Sequence, residues 1–145
     1  MNLKPSAHAL TLMFCLGPML SLATENLLTI NNAWVRATVP AQSSSGAFLD
    51  ITSARSARLI KAETSVAKTV EIHSMSVAEG VMRMRELKEL ALPAGKKVSF
   101  SPGGYHLMLV DLSRPLRAGE RITLKLTTLD ANNIQQVTSA LATVK

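Results

Sequence analysis

Arg121-Ile122-Thr123-Leu124-Lys125-Leu126 alternates polar and apolar side chains without a break. Successive residues of a strand point to opposite faces, so Ile122, Leu124 and Leu126 share one face and Thr123 and Lys125 take the other. A surface helix would place apolar residues three and four apart, and no long run of that period occurs. Working outward, the same alternation predicts strands over residues 27–30, 33–39, 47–52, 57–63, 69–73, 81–86, 97–100, 106–111, 121–129 and 134–144. Turn residues punctuate them: Pro40 with Ser43-Ser44-Ser45-Gly46, then Glu79-Gly80, Pro93-Ala94-Gly95, Pro102-Gly103-Gly104 and Ala118-Gly119. Many short strands with no intervening helices point to an all-β fold, an antiparallel β-sandwich or barrel.

The first residues follow another rule. Met1 to Lys4 give a positive start, Ala9 to Leu20 run almost without polar residues, and Ser21 and Ala23 are small. That order is the one of a secretory leader, and it predicts a signal peptide over 1–23 and one domain over 24–145. The apolar run is about a dozen residues, short of the ~20 that a spanning helix needs. Phe14 before Cys15 argues against a lipoprotein signal. The expectation is therefore an exported protein with no membrane insertion after processing. Cys15, the single cysteine, leaves with the leader, which removes disulfides, thiolate metal ligands and cysteine nucleophiles from consideration.

Lys plus Arg number 16 against 10 Asp plus Glu, a formal charge of +6. The charges are scattered and aromatic residues make up 3%, so there is neither the basic stripe nor the stacking platform that nucleic acid requires. A solvated surface accounts for the excess, with a mild bias toward acidic partners.

The chemistry gathers in one stretch. Beyond the leader the chain has two histidines, His73 and His106, and four methionines, Met75, Met82, Met84 and Met108. Each alone has an ordinary explanation, since a strand methionine usually fills a core and a lone histidine is usually no ligand. Together they form three pairs spaced i, i+2, namely His73/Met75, Met82/Met84 and His106/Met108, and each pair projects from one face of its strand. His73 and Glu71 face away from Val70 and Ile72. His106 and Met108 face away from Leu107 and Leu109. This suits a site near a sheet edge or mouth better than a core.

Thioether sulfur is a soft donor that suits Cu(I), with imidazole as companion. Zinc favours thiolate, imidazole and carboxylate, and calcium and magnesium need clustered oxygens. A blue-copper centre would need a cysteine thiolate. Neutral ligands also favour the +1 ion over the +2 ion.

The spacing of His73, ten residues, Met84, twenty-one residues, His106, one residue, Met108 matches H-x10-M-x21-H-x-M. With Glu71-Ile72-His73-Ser74-Met75, Gly80-Val81-Met82-Arg83-Met84-Arg85 and Pro102-Gly103-Gly104-Tyr105-His106-Leu107-Met108-Leu109, the chain resembles the periplasmic PCu(A)C copper chaperones. The likeness runs from about Ile30, through Ala33-Trp34-Val35-Arg36, to about Leu129. It implies a cupredoxin-like Greek-key β-sandwich and a single Cu(I) held by His73, Met84, His106 and Met108. It also implies delivery toward the binuclear copper centre of cytochrome c oxidase, alongside Sco-type proteins. The chain stops at Lys145 without the His/Met-rich tail of some relatives, so one ion is expected.

Met75 is an alternative ligand or a neighbour of the site, and Met82 a core or rim residue. Arg83 and Arg85 are expected in solvent and Trp34 in the core. Gly103 and Gly104 make a tight turn that orients His106. An enzyme is the first rival reading, but there is no Gly-x-Ser-x-Gly, no cysteine and only two histidines, so no catalytic activity is expected. An adhesive β-sandwich with incidental methionines is the second. Copper buffering without a dedicated acceptor is the third.

Overall fold

A computed structural model describes residues 26–145; the leader and Cys15 lie outside the described residues. Ten strands and no helix occur among them: β1 (Leu28–Val35), β2 (Ser44–Ser53), β3 (Ala57–Glu63), β4 (Ala67–Ala78), β5 (Val81–Leu87), β6 (Leu90–Leu92), β7 (Lys97–Phe100), β8 (His106–Leu112), β9 (Arg121–Asp130) and β10 (Gln135–Val144). The strands β4, β8, β2, β1, β10, β9 and β3 follow one another by hydrogen bonding. Ala62 of β3 then pairs with Val70 of β4, so the ladder returns on itself as a barrel. Three strands sit outside that ring: β5 on β4, β6 on β3 and β7 on β2.

Alternation explains the interior. Ile122, Leu124 and Leu126 of β9 are buried while Arg121, Thr123 and Lys125 are exposed. Leu107 and Leu109 of β8, Ile72 of β4, Leu49 and Ile51 of β2 and Leu59 of β3 join them in one apolar cluster. Each side chain of this size, fully removed from water, contributes roughly 1.5–3 kcal/mol.

The departures from expectation have local causes. The two strands expected over 27–30 and 33–39 are one strand, β1, carried through a bulge between Asn31 and Trp34 and ending at Val35, with residues 36–39 outside it. Asn32 adopts φ 53° there and donates from Nδ2 to Asp50 Oδ2 at 2.9 Å. Ser44, Ser45 and Gly46 belong to a strand instead of a turn, because Ser44 pairs with Val110 and Gly46 with Met108 of β8. The hydroxyl of Ser45, buried, donates to the Arg36 carbonyl at 2.6 Å. β6 was not expected, since three residues are too few to show a period. Purely antiparallel pairing is corrected at one ladder: β1 and β10 run parallel, with Trp34 opposite Thr143 and Val35 opposite Val144. Ring closure places these two strands side by side.

For the site, the consequential piece is β2. Its first half pairs with β8 and its second half with β7, while β1 runs along its other edge. Gly46 therefore faces the part of β8 that carries His106 and Met108.

Candidate metal centre

Three antiparallel strands, β5, β4 and β8, set the site by register. Met75 lies opposite Met84 and His73 opposite Glu86. On the other side of β4, His73 lies opposite His106 and Glu71 opposite Met108. Residues directly opposite share a face, with Cβ atoms about 4.5–5.5 Å apart. Met84, Met75, His73, His106 and Met108 thus occupy one face, and Ile72, Leu107 and Leu109 pack the other into the core.

The side chains converge within that face. His73 Nδ1 lies 2.9 Å from Met84 Sδ. The rings of His73 and His106 meet edge to face with centroids 5.4 Å apart. His106 and Met108 line a cleft of about 340 Å³ together with Met75, Gly46, Phe48, Arg36 and Gly103. His73 and Met84 stand outside its lining, so the donor cluster straddles the rim of this cleft.

Burial grades across the cluster. His106 is only 7% exposed, whereas Met84 on β5 is 53% exposed. Of the residues expected at an edge or mouth, His73 and Met108 are half-buried and His106 is buried. Phe48, itself packed on Trp34 with centroids 4.4 Å apart, lies 6.4 Å from the His106 ring. The turn before β8 covers the rest. Gly103 takes φ 85°, a value glycine tolerates, and the Ser101 N–H bonds to the Tyr105 carbonyl at 2.9 Å. The Gly104 carbonyl faces the Met75 N–H and the His106 Nδ1, each at 3.2 Å. The turn thus fixes both the histidine and the middle strand of the site.

Met82 lies opposite Val77, one step further toward the hairpin tip, and both are exposed. Arg83 and Arg85 are exposed on the opposite face of β5. Trp34 is half-buried rather than in the core, its ring covering Phe48.

Sequence reasoning placed Glu71 on the same face as His73 but gave it no part. Its carboxylate Oε2 lies 2.8 Å from His73 Nε2. The i, i+2 spacing was the available signal. Gly46 and the Gly104 carbonyl carried no such signal, because their roles depend on pairing between distant segments.

The donor set fits a soft monovalent cation. Two imidazoles and neighbouring thioethers share a face, and no group of three or more His, Cys, Asp or Glu arranged for a metal occurs among the described residues. A thioether sulfur accepts and cannot donate, and beside an imidazole nitrogen it suits a soft metal ion.

Comparison with known proteins gives a consistent setting. The model of the LpqE-like family, described as "Putative lipoprotein LpqE-like", matches residues 28–139. The "Putative lipoprotein Lxx21020" of Leifsonia xyli subsp. xyli is 31% identical over 98 residues, covering 67% of this chain and 59% of that protein. The chain therefore corresponds to less than two thirds of that relative's length. Among solved structures, a copper-bound PCuAC domain from PmoF2 superposes with a TM-score of 0.62 at 20% identity, covering 83% of this chain and 95% of that one. The Cu(I)-bound DR1885 protein of Deinococcus radiodurans superposes with a TM-score of 0.62 at 25% identity, covering 80% of this chain and 76% of its own.

Proposed function

The chain belongs to the LpqE-like family, and from that premise we propose that it is an exported carrier of one Cu(I) ion, held by His73, Met84, His106 and Met108. The observation that carries the reading is the convergence of these side chains on one face of β5, β4 and β8, with His73 Nδ1 2.9 Å from Met84 Sδ. Copper bound by PCuAC domains of similar fold supports it, as does a donor set of imidazole and thioether without thiolate. The barrel is read as the cupredoxin-like Greek-key type of those chaperones.

In this reading the protein binds and transfers, and catalyses nothing. His106 and Met108 sit at the inner side of the cluster, and Met84 at the outer, exposed side. An acceptor approaching along β5 meets Met84 first. The proposed acceptor is the binuclear copper centre of cytochrome c oxidase, with Sco-type proteins as further partners. The lipoprotein names of the relatives support export, and the periplasm is the proposed location.

The test is transfer. Protein loaded with one equivalent of Cu(I) is mixed with the copper-binding domain of the oxidase subunit, and both are separated and assayed for metal. Movement of copper at micromolar protein, abolished by Met84→Ala or His106→Ala, is the expected result. Retention of copper by a protein that binds it stoichiometrically would instead favour buffering. Failure to bind Cu(I) at all would reject the copper reading. The mass of exported protein checks processing: a chain beginning at Thr24 is expected, and a mass retaining Cys15 would refute cleavage after Ala23.

A further inference from the structure

The two imidazoles of the cluster are held by different nitrogens. His73 points Nε2 at Glu71 Oε2, 2.8 Å away, and Nδ1 at Met84 Sδ. His106 points Nδ1 at the Gly104 carbonyl, 3.2 Å away. A carbonyl, a carboxylate and a thioether all only accept; of the two that face His73 the carboxylate is the stronger acceptor, so in a neutral ring the proton goes to the nitrogen facing Glu71, and in His106 to the one facing the Gly104 carbonyl. His73 then donates from Nε2 and His106 from Nδ1. The free lone pairs are His73 Nδ1 and His106 Nε2.

Both anchors are built into the framework. Glu71 and His73 sit two apart on β4, on the same face, so their contact needs no loop to form. The His73 side chain is 12% exposed and that of Glu71 31%, which leaves the contact partly screened from water. The Gly104 carbonyl is fixed by a second contact, with the Met75 N–H. Neither ring turns over without breaking a hydrogen bond made by rigid backbone or by a neighbour on the same strand.

We propose that Glu71 is a positioning residue that fixes the proton of His73 on Nε2, so that Cu(I) meets Nδ1 of His73 but Nε2 of His106. This rests on the copper reading above. A carboxylate behind a ligating histidine orients the ring and raises its basicity, and removal of such partners typically costs about 10- to 100-fold in metal affinity. Glu71 also places a negative charge beside a site whose proposed ligands are neutral. This partly offsets the positive charge of the ion.

The experiment uses the full chain labelled with 15N. Long-range 1H–15N correlation spectra are recorded copper-free, at a pH where the imidazoles are neutral, and again with one equivalent of Cu(I). The expected copper-free spectrum shows His73 protonated at Nε2 and His106 at Nδ1, and Cu(I) shifts the other nitrogen of each ring. Glu71→Ala is expected to give a mixture of His73 tautomers and a roughly 10- to 100-fold loss of Cu(I) affinity. Glu71→Gln, whose amide can accept from Nε2–H or donate to a bare Nε2, should keep the ring in place but loosen the single tautomer, recovering only part of the affinity. A merely structural role for Glu71 would leave the tautomer unchanged. A proton on His73 Nδ1 in the wild type, a Cu(I)-induced shift at its Nε2, or an unchanged tautomer in Glu71→Ala overturns the proposal. These outcomes refute the positioning role while copper still binds. Absence of any Cu(I)-induced shift refutes the copper reading itself and the proposal with it.

Discussion

Replacing Gly46 by Ala tests how tightly the inner wall of the site is packed. A Cβ at this position would lie 3.0 Å from Phe48 Cζ and 3.3 Å from its Cε2, so the ring must retreat by a few tenths of an ångström. Retreat is hindered, because Phe48 is buried against Trp34 and has the Arg36 guanidinium 5.8 Å from its ring centroid. Two effects compete. Removing a glycine restricts the unfolded chain and gains about 0.4–1 kcal/mol, whereas overpacking a filled interior costs about 1–3 kcal/mol. Held between Trp34 and the Arg36 guanidinium the ring yields little, and the middle of the two ranges leaves a net loss of about 1 kcal/mol. For a domain of this size that corresponds to a melting temperature lower by roughly 2–8 °C. Denaturant and thermal unfolding of copper-free protein measure it. The companion variant Phe48→Leu, alone and combined with Gly46→Ala, completes a double-mutant cycle, and the clash predicts a coupling of at least about 1 kcal/mol. A Gly46→Ala protein as stable as the wild type, or a coupling near zero, would refute this account of the wall.

Leu107→Ala, between the two candidate ligands of β8 and fully buried, should lose about 2.7–5 kcal/mol in denaturant unfolding. That is a large part of the 5–15 kcal/mol usual for a domain, yet the native fold should persist at 25 °C. Met84→Ala should weaken Cu(I) binding more than Met75→Ala in competition with a Cu(I) chelator, and X-ray absorption of the wild type should show mixed sulfur and nitrogen neighbours. Equal effects of the two substitutions would mean that Met75 ligates as well. The Glu120 carboxyl is held below its ordinary value by its hydrogen bond from Arg114 at 2.6 Å, against a smaller opposing effect of desolvation. Its folded form therefore binds protons less readily than its unfolded form. The stabilisation is present above the ordinary value of 4.5 and is lost as pH falls through the lowered one. Unfolding midpoints of Glu120→Gln should therefore fall less steeply than wild type over that acid range.

Most strands were legible because one face of each is buried. β3 and β7 begin and end where the alternation does. The donor cluster was legible for the same reason: i, i+2 spacing fixes a face, and three such pairs fall in one stretch. Register was not legible. Nothing in the sequence says that His73 lies opposite His106 rather than opposite Met108, since this depends on how β4 meets β8 across the 32 residues between the two histidines. The burial of His106 was missed for a related reason. Its cover, Phe48, arrives from β2, and only pairing of Gly46 with Met108 brings it there. The turn-like run Ser43-Ser44-Ser45-Gly46 misled because composition favours a turn, whereas the open edge of β8 supplies backbone partners that favour a strand.

The position of β5 outside the closed ring has a kinetic consequence. The ring of hydrogen bonds from β4 through β8 and back by β3 is complete without it. Fraying of β5 therefore breaks one ladder and leaves the barrel standing, and its residues are exposed almost throughout. Openings of this kind sit at the low end of a protein's local stability scale, far below global unfolding. Met84 rides on that loose strand, while His106 and Met108 ride on β8, which is paired on both sides. For an ion held as proposed, Met84 would then be the first donor to let go, opening one side of the ion while three donors on the closed ring still hold it.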